Sequence, residues 1–568
     1  MPRLISGQVL SRQFLVAGLC SVAVGLSACN NNDNDEQASV PAVQKKKPNI
    51  LFIMADDLGY SDLGAFGGEI STPNIDALAS TGRILTDYHT AQACSPTRSQ
   101  LLSGTDHHLA GIGAMAESLN DNVRGADGYE GYLNDKVLSL PQILKDHGYH
   151  TYMAGKWHLG LTPQYGPKAR GFERSFALLQ GYDLHYKDKP ASVQRPGTYT
   201  EDGQSVELPD GFFSTNYYTD KLLDYLNSNK DDKPFFAYAA YTAPHWPLQA
   251  PDEFINKYKG KYDAGYDAIR TQRLARQKQL GIVPVDFQPA TPLATANTPG
   301  NAGSWNELSS DQKKVEARKM EVYAAMVENL DYNIGRIIAQ LKQNGQYDNT
   351  LIFFVSDNGA EGFPRNANGF DNSLDNIGKP TSYVSIGPRW AEVSSTPFHL
   401  WKLTAGEGAV LSPAVIKLPS QTKAEDINTS FTSVKDVSPT ILEIAQINNP
   451  GNQYNGKTVH PITGKSWLAL LQNKTSSVYG DQFVFADELH GNQYVRAGNW
   501  KLALQAPYQG KNILGSADWE LFDLKTDRAE RNNVAAQRPE IVADLKAKYA
   551  QYASKNGVKP FFGQQQPK

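Results

Sequence analysis

Four short, mainly apolar runs dominate the pattern of this 568-residue chain, and polar residues follow each of them directly. The runs are residues 49–54, 149–154, 235–241 and 351–355. Apolar runs of this length without alternation are typical of strands that are buried on both faces of a parallel sheet. Open sheets of this kind bind ligands at the carboxyl ends of their strands. The pattern therefore predicts an α/β domain whose site gathers polar residues from several strand ends.

Helices should separate these strands. Apolar residues recur at helical spacing through residues 311–344, and Gly345 is a good stop signal for that helix. From about Gly451 the chain changes to short strand-like pieces between turns, followed by a helical segment near 539–553. The sequence thus predicts an α/β fold with a large mixed, mostly parallel sheet sandwiched by helices, and a smaller C-terminal antiparallel sheet with a helix. The predicted domains are a large main domain at 48–450 and a C-terminal α+β subdomain at 451–568.

The N-terminal residues resemble a targeting segment. Arg3 and Arg12 give a basic start, and residues 14–28 form an apolar run that is too short to span a bilayer with margin. The run ends in Leu-Ser-Ala before Cys29, which resembles the lipobox of bacterial lipoproteins; an ordinary secretory signal cut nearby is the alternative. We therefore expect a lipoprotein-type signal peptide at 1–28 and a polar tether at 29–47. A lipid on Cys29 would hold the exported protein on the periplasmic or cell-surface face of a bacterial membrane.

Charge and cysteine content narrow the function classes. The formal net charge of -4 gives no sign of nucleic-acid binding, which usually shows a strong basic excess. Beyond the first 29 residues Cys94 is the only cysteine, so the mature body has no intramolecular disulfide framework.

Two pairs of oxygen ligands follow the first and the last of the four runs. They are Asp56 with Asp57, and Asp357 with Asn358. Three carboxylates and an amide oxygen suit a hard divalent cation better than zinc. Either pair alone could be a turn or a helix cap, but two pairs at equivalent strand ends favour a metal site. The long polar stretch 359–397 follows directly, and we expect it to line the site and to contribute substrate selectivity.

Cys94 opens the run Cys94-Ser95-Pro96-Thr97-Arg98. Proline suits a first helical turn, so a helix should begin near Ser95 or Pro96. Residue 94 would then lie at the positive end of the helix dipole, which favours a neighbouring anion. Arg98 lies one turn on and could hold the nucleophile or a charged oxygen. From these residues alone, a buried inert thiol and a cysteine nucleophile paired with a histidine both stay open.

Basic residues follow the other runs. Lys156 and His158 are two positions apart, so in an extended chain they would point to the same side. A fixed cation and an imidazole that face one pocket suit an anionic substrate and proton transfer. His245 follows a strand and would by itself be taken as structural, and Lys402 would by itself be taken as a solvated lysine.

Together these segments resemble the type I sulfatases of the alkaline-phosphatase-like superfamily. The Cys-x-Pro-x-Arg pattern at 94–98 is highly specific for that family when the metal-site segments accompany it. The resemblance extends from about Pro48 to Asn533, and residues 104–108 and 262–267 are most similar to bacterial arylsulfatases. The matching segments are 49–57, 72–79, 94–104, 155–160, 243–248, 348–359 and 520–533.

The resemblance implies a cofactor set and an activity. A maturation enzyme would convert Cys94 to formylglycine (3-oxoalanine), and one Ca²⁺ would be bound. The reaction would be hydrolysis of a small organic sulfate ester to free sulfate and an alcohol or phenol. The metal ligands would be Asp56, Asp57, Asp357 and Asn358, and the catalytic residues Cys94, Arg98, Lys156, His158, His245 and Lys402.

The resemblance also implies a role for each basic residue. One hydroxyl of the hydrated aldehyde would attack sulfur, and His245 or Lys402 would assist the leaving oxygen. His158 would take a proton from the second hydroxyl, which expels sulfate and restores the aldehyde. Arg98 and Lys156 would hold the diol and the sulfate oxygens, and Lys402 would also contact sulfate.

Two other functions fit parts of the same pattern. The first is a phosphonate or phosphate ester hydrolase on the same scaffold, since tetrahedral anions differ little to a cation-rich site. The second is an inactive surface protein that binds sulfated glycans. Among sulfate esters, aryl, sugar and steroid sulfates all fit the pattern.

Overall fold

The computed structural model describes residues 46–293, 303–507, 512, 514 and 518–562. Within them the strands form one wide, mixed sheet and three smaller sheets. The signal peptide predicted at 1–28, Cys29, and the tether up to residue 45 lie outside the described residues. The strands are β1 (Asn49–Ala55), β2 (Arg83–Leu85), β3 (Tyr88–His89), β4 (His150–Lys156), β5 (Arg174–Leu178), β6 (Tyr199–Glu201), β7 (Gln204–Ser205), β8 (Phe235–Ala240), β9 (Thr350–Ser356), β10 (Ala414–Lys417), β11 (Thr432–Ser433), β12 (Gln453–Tyr454), β13 (Lys457–Thr458), β14 (Val484–Leu489), β15 (Asn492–Ala497), β16 (Trp500–Leu504) and β17 (Glu520–Asp523).

Twelve α-helices lie within the described residues; most of them flank the large sheet, and the last packs on a smaller sheet. They are α1 (Pro73–Ala79), α2 (Cys94–Ser103), α3 (Leu140–Asp146), α4 (Ser214–Ser228), α5 (Asp252–Ile255), α6 (Tyr266–Leu280), α7 (Ser310–Gln343), α8 (Gly387–Ser394), α9 (Glu407–Val410), α10 (Val437–Ile444), α11 (Leu468–Leu471) and α12 (Pro539–Asn556). Within the described ranges, no helix combines the length and the apolar character needed to cross a membrane.

The strand order of the large sheet is β2-β10-β9-β1-β8-β4-β5-β6-β7. The five strands from β9 to β5 run parallel to their neighbours, and the strands outside them pair antiparallel. The first apolar run became the central strand β1, in which Phe52 pairs with Tyr238 on one side and Phe353 on the other. All four predicted strands of the main domain are present, at 49–55, 150–156, 235–240 and 350–356.

Side chains of β1 alternate between two core layers, as expected for a strand that is buried on both faces. Leu51 and Ile53 pack in the layer that contains α1, α4 and α7. Ile50, Phe52 and Met54 pack in the layer that contains α2, α3 and α10. The sheet is therefore sandwiched by helices, as predicted.

The predicted long helix is α7. It begins with a capping box, in which the Ser309 hydroxyl accepts from the Gln312 backbone N–H (3.2 Å) and the Gln312 side chain accepts from the Ser309 N–H (2.8 Å). It ends before Gly345, whose φ of 66° lies in the left-handed region that glycine adopts readily.

The C-terminal part contains the predicted small sheet. Strands β14 to β17 form an antiparallel meander, and α12 packs on it through Leu545 and Tyr549. The whole predicted fold class is thus confirmed. A buried ion triad joins this sheet to the main body: Lys501 of β16 lies 2.7 Å from Glu407 and 2.8 Å from Glu530.

One predicted loop is partly helical. The stretch 359–397 ends in α8, in which Pro388 occupies the first turn and Trp390 and Val393 are buried. Proline at that position favours helix initiation, and burial of the apolar side chains stabilises the short helix in spite of its polar flanks.

Candidate active site

The two predicted acidic pairs meet at the carboxyl ends of neighbouring strands. Because Ala55 of β1 pairs with Ser356 of β9, the residues that follow these two positions emerge side by side. Asp57 donates its backbone N–H to Asp357 Oδ1 at 3.3 Å, and its φ of 64° turns the chain sharply out of the strand. All four side chains of the two pairs are almost completely buried.

Each of the three carboxylates has its own cation. Arg98 reaches Asp357 Oδ2 through Nε (3.0 Å) and a terminal nitrogen (2.8 Å). Lys156 Nζ lies 3.0 and 2.8 Å from the two oxygens of Asp56. Lys402 Nζ lies 2.8 and 2.9 Å from those of Asp57. The pairing offsets the desolvation of six charges that would otherwise be very unfavourable in the interior.

Burial raises the pKa values of the three carboxyl groups, and their cationic partners lower them. Burial raises the pKa of Asp56 to about 7, although Lys156 opposes this shift. Burial likewise raises the pKa of Asp57. For Asp357 burial also opposes ionisation, but Arg98 and the two lysines together hold its pKa below the ordinary value. Further positive charge next to Asp56 and Asp57 would therefore favour the ionised forms of these two carboxyl groups.

The donor set fits a hard divalent cation. Asn358 donates its amide Nδ2 to Asp57 Oδ1 at 2.7 Å, whereas its own buried Oδ1 has no hydrogen-bond partner within the described part of the chain. An orphaned buried oxygen beside three carboxylates matches the oxygen ligands that Ca²⁺ and Mg²⁺ prefer. Asp56, Asp57, Asp357 and Asn358 are therefore together and chemically suited to hold such an ion.

Cys94 lies directly on this cluster. It is the first residue of α2, at the positive end of that helix, which ends at Gly104 in a left-handed conformation. Its Sγ lies 3.3 Å from Asp56 Oδ1 and 3.8 Å from Asp57 Oδ1. Burial and the neighbouring carboxylates raise the pKa of the Cys94 thiol well above its usual value. The helix begins one or two residues earlier than predicted, since Ala93 is the extended residue before it.

Lys156 and His158 do not share one extended strand. His158 has a φ of 56°, so the chain turns after β4 and the two side chains take different partners. The Nε2 atom of His158 lies 3.0 and 3.1 Å from the two carboxylate oxygens of Glu117. Its buried Nδ1 has no hydrogen-bond partner among the residues described. Burial lowers the pKa of His158, and Glu117 opposes this shift.

His245 lies on the Asp57 side of the cluster. Its Nδ1 donates to the Trp246 carbonyl at 2.6 Å, so Nε2 of the neutral ring carries the lone pair. That Nε2 lies 3.5 Å from Asp57 Oδ2. Burial and the charge of Lys402 lower the pKa of His245 well below its usual value.

A cavity of about 500 Å³ opens above these residues. Cys94, His158, His245 and Lys402 line it, whereas the remaining predicted site residues lie beneath its floor. A cavity of about 670 Å³ next to α1, α4, α5 and α7 is larger, but none of the predicted site residues line it. The smaller cavity is therefore the candidate active site.

Two acidic side chains of the cavity were not predicted individually. Glu117 lies in a short helical turn at 116–118, and no pattern in the sequence marks it. Glu361 accepts from the Trp246 indole N–H at 3.3 Å and lies 3.8 Å from Lys402 Nζ. Glu361 belongs to the stretch 359–397, which was predicted to line the site.

A mixed α/β sheet thus carries a buried cluster of acidic and basic side chains at its strand ends. A family model described as "Sulfatase" matches residues 48–447, and one described as "N-sulphoglucosamine sulphohydrolase, C-terminal" matches residues 402–555. The chain belongs to the sulfatase family. It is a sulfuric ester hydrolase of the arylsulfatase-like kind.

Similar proteins support this assignment. An uncharacterised sulfatase of Schizosaccharomyces pombe is 45% identical over 536 residues, which cover 91% of this chain and 95% of that protein. An arylsulfatase of Klebsiella aerogenes is 41% identical over 448 residues, which cover 77% of this chain and 94% of that enzyme. The solved structure of the PsFucS1 sulfatase from Pseudoalteromonas sp. has the same fold, with a TM-score of 0.60, 20% identity, and coverage of 91% of this chain and 92% of the other.

Proposed function

We propose that this sulfatase cleaves its sulfate ester with a formylglycine at position 94 and one bound Ca²⁺. The observation that carries the proposal is the position of Cys94, whose Sγ lies 3.3 Å from Asp56 at the floor of the cavity. A hydrated aldehyde there supplies a geminal diol as the nucleophile, which a plain thiol does not. A calcium ion supplies positive charge that polarises a sulfate oxygen. Asp56, Asp57, Asp357 and Asn358 would hold that ion.

The basic residues would bind the anionic group and move protons. Lys402 lines the cavity and is anchored on Asp57, so its ammonium group would contact a sulfate oxygen. Arg98 and Lys156 lie beneath the floor and would orient the group at position 94 and the sulfate. These fixed charges cost little reorganisation during the reaction, because each is already held by a carboxylate.

The two histidines would serve opposite sides of the sulfur. The Lys402 ammonium would donate a proton to the leaving oxygen. His245 would assist there only in its protonated form, because Nε2 of the neutral ring carries a lone pair and cannot donate. His158 would accept a proton from the group at position 94 through Nδ1, since Nε2 is engaged by Glu117. Proton transfer by a positioned imidazole typically contributes about 10²- to 10⁴-fold.

The modification is tested by peptide mass spectrometry on protein from its own host. Trypsin releases the peptide 84–98, and the expected result is the mass loss of thiol-to-aldehyde conversion at Cys94. An unmodified thiol in active native protein would refute the formylglycine mechanism. A Cys94→Ser variant that folds normally and turns over no substrate is the matched control.

Sulfate specificity is tested with two esters of one phenol. We expect the sulfate ester to be hydrolysed faster than the phosphate ester. Faster phosphate turnover would favour a phosphate or phosphonate ester hydrolase on the same scaffold. Binding of a sulfated sugar by mature, calcium-loaded protein without sulfate release would favour a binding role.

We also propose that the protein is exported and lipid-anchored through Cys29, with a maturation enzyme acting on Cys94. The support is the basic start and apolar run that end at Cys29. Metabolic labelling with a radioactive fatty acid should label the wild-type protein and not a Cys29→Ser variant. Equal labelling of both proteins would contradict the anchor.

A further inference from the structure

The segment that follows α12 returns to the mouth of the active-site cavity. The Lys559 backbone N–H donates to the Tyr129 hydroxyl at 2.8 Å. The Phe561 carbonyl accepts from the side-chain amides of Asn120 and Asn122, each at 3.0 Å. Three hydrogen bonds thus tie residues 559–561 to the loop 120–129.

Phe561 anchors this segment by packing. Its ring contacts a small apolar cluster of Ala114, Val123 and Tyr129. It also lies 4.5 Å from the ring of His490, centroid to centroid. These contacts and the hydrogen bonds fix the backbone from which the next side chain projects.

Phe562 is the side chain that reaches the cavity. It lines the cavity with Cys94 but is 54% exposed, whereas Cys94 is 1% exposed. Cys94 therefore lies at the floor and Phe562 at the mouth. The Phe561 ring meets Phe562 edge to face at 5.1 Å, which fixes the orientation of Phe562. An aromatic ring that is more than half exposed at a cavity mouth offers apolar surface to a ligand.

Apolar side chains besides Phe562 also line the cavity. They are Met115, Leu403, Ala506, Pro507 and Leu514. On the same cavity Tyr182 lies 4.2 Å from Trp246, ring centroid to ring centroid. The cavity thus passes from a charged floor to a mouth with flat aromatic and aliphatic surfaces. A ligand that fits both ends has an anionic group at one end and an apolar, planar group at the other.

Residues 556–562 lie beyond both matched family regions, the second of which ends at residue 555. Phe562 therefore lies outside the regions that the two family models match.

We propose that Phe562 is a specificity-determining residue that contacts the leaving group of the substrate and favours sulfate esters of extended aromatic alcohols. The inference rests on the proposed function, since it assumes that sulfate occupies the floor. A two-ring leaving group extends toward Phe562, whereas a single phenyl ring or a sugar offers it less apolar surface. The contact strengthens substrate binding and leaves the chemistry at sulfur unchanged.

The test compares 2-naphthyl sulfate, phenyl sulfate and a monosaccharide sulfate with the mature holoenzyme and a Phe562→Ala variant. We expect kcat/KM for naphthyl sulfate to fall about 3- to 10-fold, in keeping with the loss of one aromatic contact. We expect less than about a twofold change for the other two esters, and an unchanged kcat at saturation. Phe562→Trp should restore the preference. Val484→Ala is the matched control, because Val484 is an exposed apolar residue of β14 and does not line this cavity.

An equal loss for all three esters, or no loss for any, would overturn the inference. A wild-type enzyme that hydrolyses none of the esters would instead count against the proposed function. In that case calorimetry with naphthyl sulfate on both proteins decides the inference: weaker binding to the Phe562→Ala variant supports it, and equal binding overturns it.

Discussion

Replacing Glu117 with glutamine should slow turnover without unfolding the protein. The two carboxylate oxygens of Glu117 lie 3.0 and 3.1 Å from His158 Nε2, and a carboxylate can only accept hydrogen bonds. Glu117 therefore keeps the proton on Nε2 and leaves the lone pair on Nδ1. A glutamine amide can donate as well as accept, so Glu117→Gln permits the other tautomer. Glu117 acts through His158 and is a positioning residue.

The magnitude follows from the geometry and exposure of this pair. A hydrogen bond to a charged group is worth roughly 1.5–3 kcal/mol net. The Glu117 side chain is 45% exposed while that of His158 is 2% exposed, so water can replace part of the lost interaction. About 1–2 kcal/mol should remain, which corresponds to a decrease in kcat of about 5- to 30-fold.

The pH dependence of kcat gives a second readout, which would not change if the role of Glu117 were only structural. Burial lowers the pKa of His158 and the Glu117 carboxylate opposes that shift. Removal of the carboxylate charge should therefore lower the pKa of His158 further and move the acid limb of the kcat profile to lower pH. The assay is kcat and KM for an aryl sulfate, measured from acidic to neutral pH so that the acid limb is covered.

Asp121→Asn provides the matched control, because it removes the same charge from a fully exposed position four residues away. Glu117→Asp keeps the carboxylate and should retain more activity than Glu117→Gln. A Glu117→Gln enzyme with kcat within twofold of wild type and an unmoved acid limb would refute the reasoning.

Three further predictions concern stability and metal binding. Lys501→Met leaves Glu407 and Glu530 buried without their cation and should lower the free energy of unfolding by about 3–5 kcal/mol in urea titrations, and a loss below about 1 kcal/mol would contradict it. Burial opposes protonation of His108, but its hydrogen bonds to Asp106 and another carboxylate raise its pKa from 6.5 to about 10. The stabilisation should thus be fully present below pH 6.5 and be lost as the pH rises toward 10, by up to about 1.4 kcal/mol per pH unit, and a His108→Gln variant should not show this slope. Chelation of calcium should abolish activity and lower Tm, and added Ca²⁺ should restore both; activity that survives complete metal removal would rule out the metal's role.

The positions of the residues at the strand ends could be predicted because each strand is marked by a local apolar run. The residue that follows such a run must lie at the edge of the sheet. Asp56 and Asp357 therefore came together although they are 301 positions apart in the chain. The same reasoning placed His245 after β8.

Contacts that depend on how loops cross the edge could not be predicted. His158 lies in a left-handed conformation, so the extended chain assumed for the spacing from Lys156 ends before this residue. Its partner Glu117 comes from a loop 41 positions earlier and has no local signal. Phe562 reaches the same cavity from beyond the last helix. Such contacts depend on tertiary packing. The periodicity of apolar residues in the sequence predicts the helix or strand to which a residue belongs, but not its contacts with distant loops.

Because β1 lies at the centre of the sheet, it can pair only after strands that are synthesised much later. Its two neighbours in the sheet are encoded much later, at Phe235 and Thr350, so the strand leaves the ribosome long before it can pair. At about 5–20 residues per second, the roughly 250 residues between Cys94 and β9 take on the order of 10–50 s to make. During that interval Cys94 would be accessible to the maturation enzyme that we propose, whereas in the finished fold it is 1% exposed. Slower translation should thus widen the time available for maturation, whereas a rapidly folding variant would fix the thiol before it is converted.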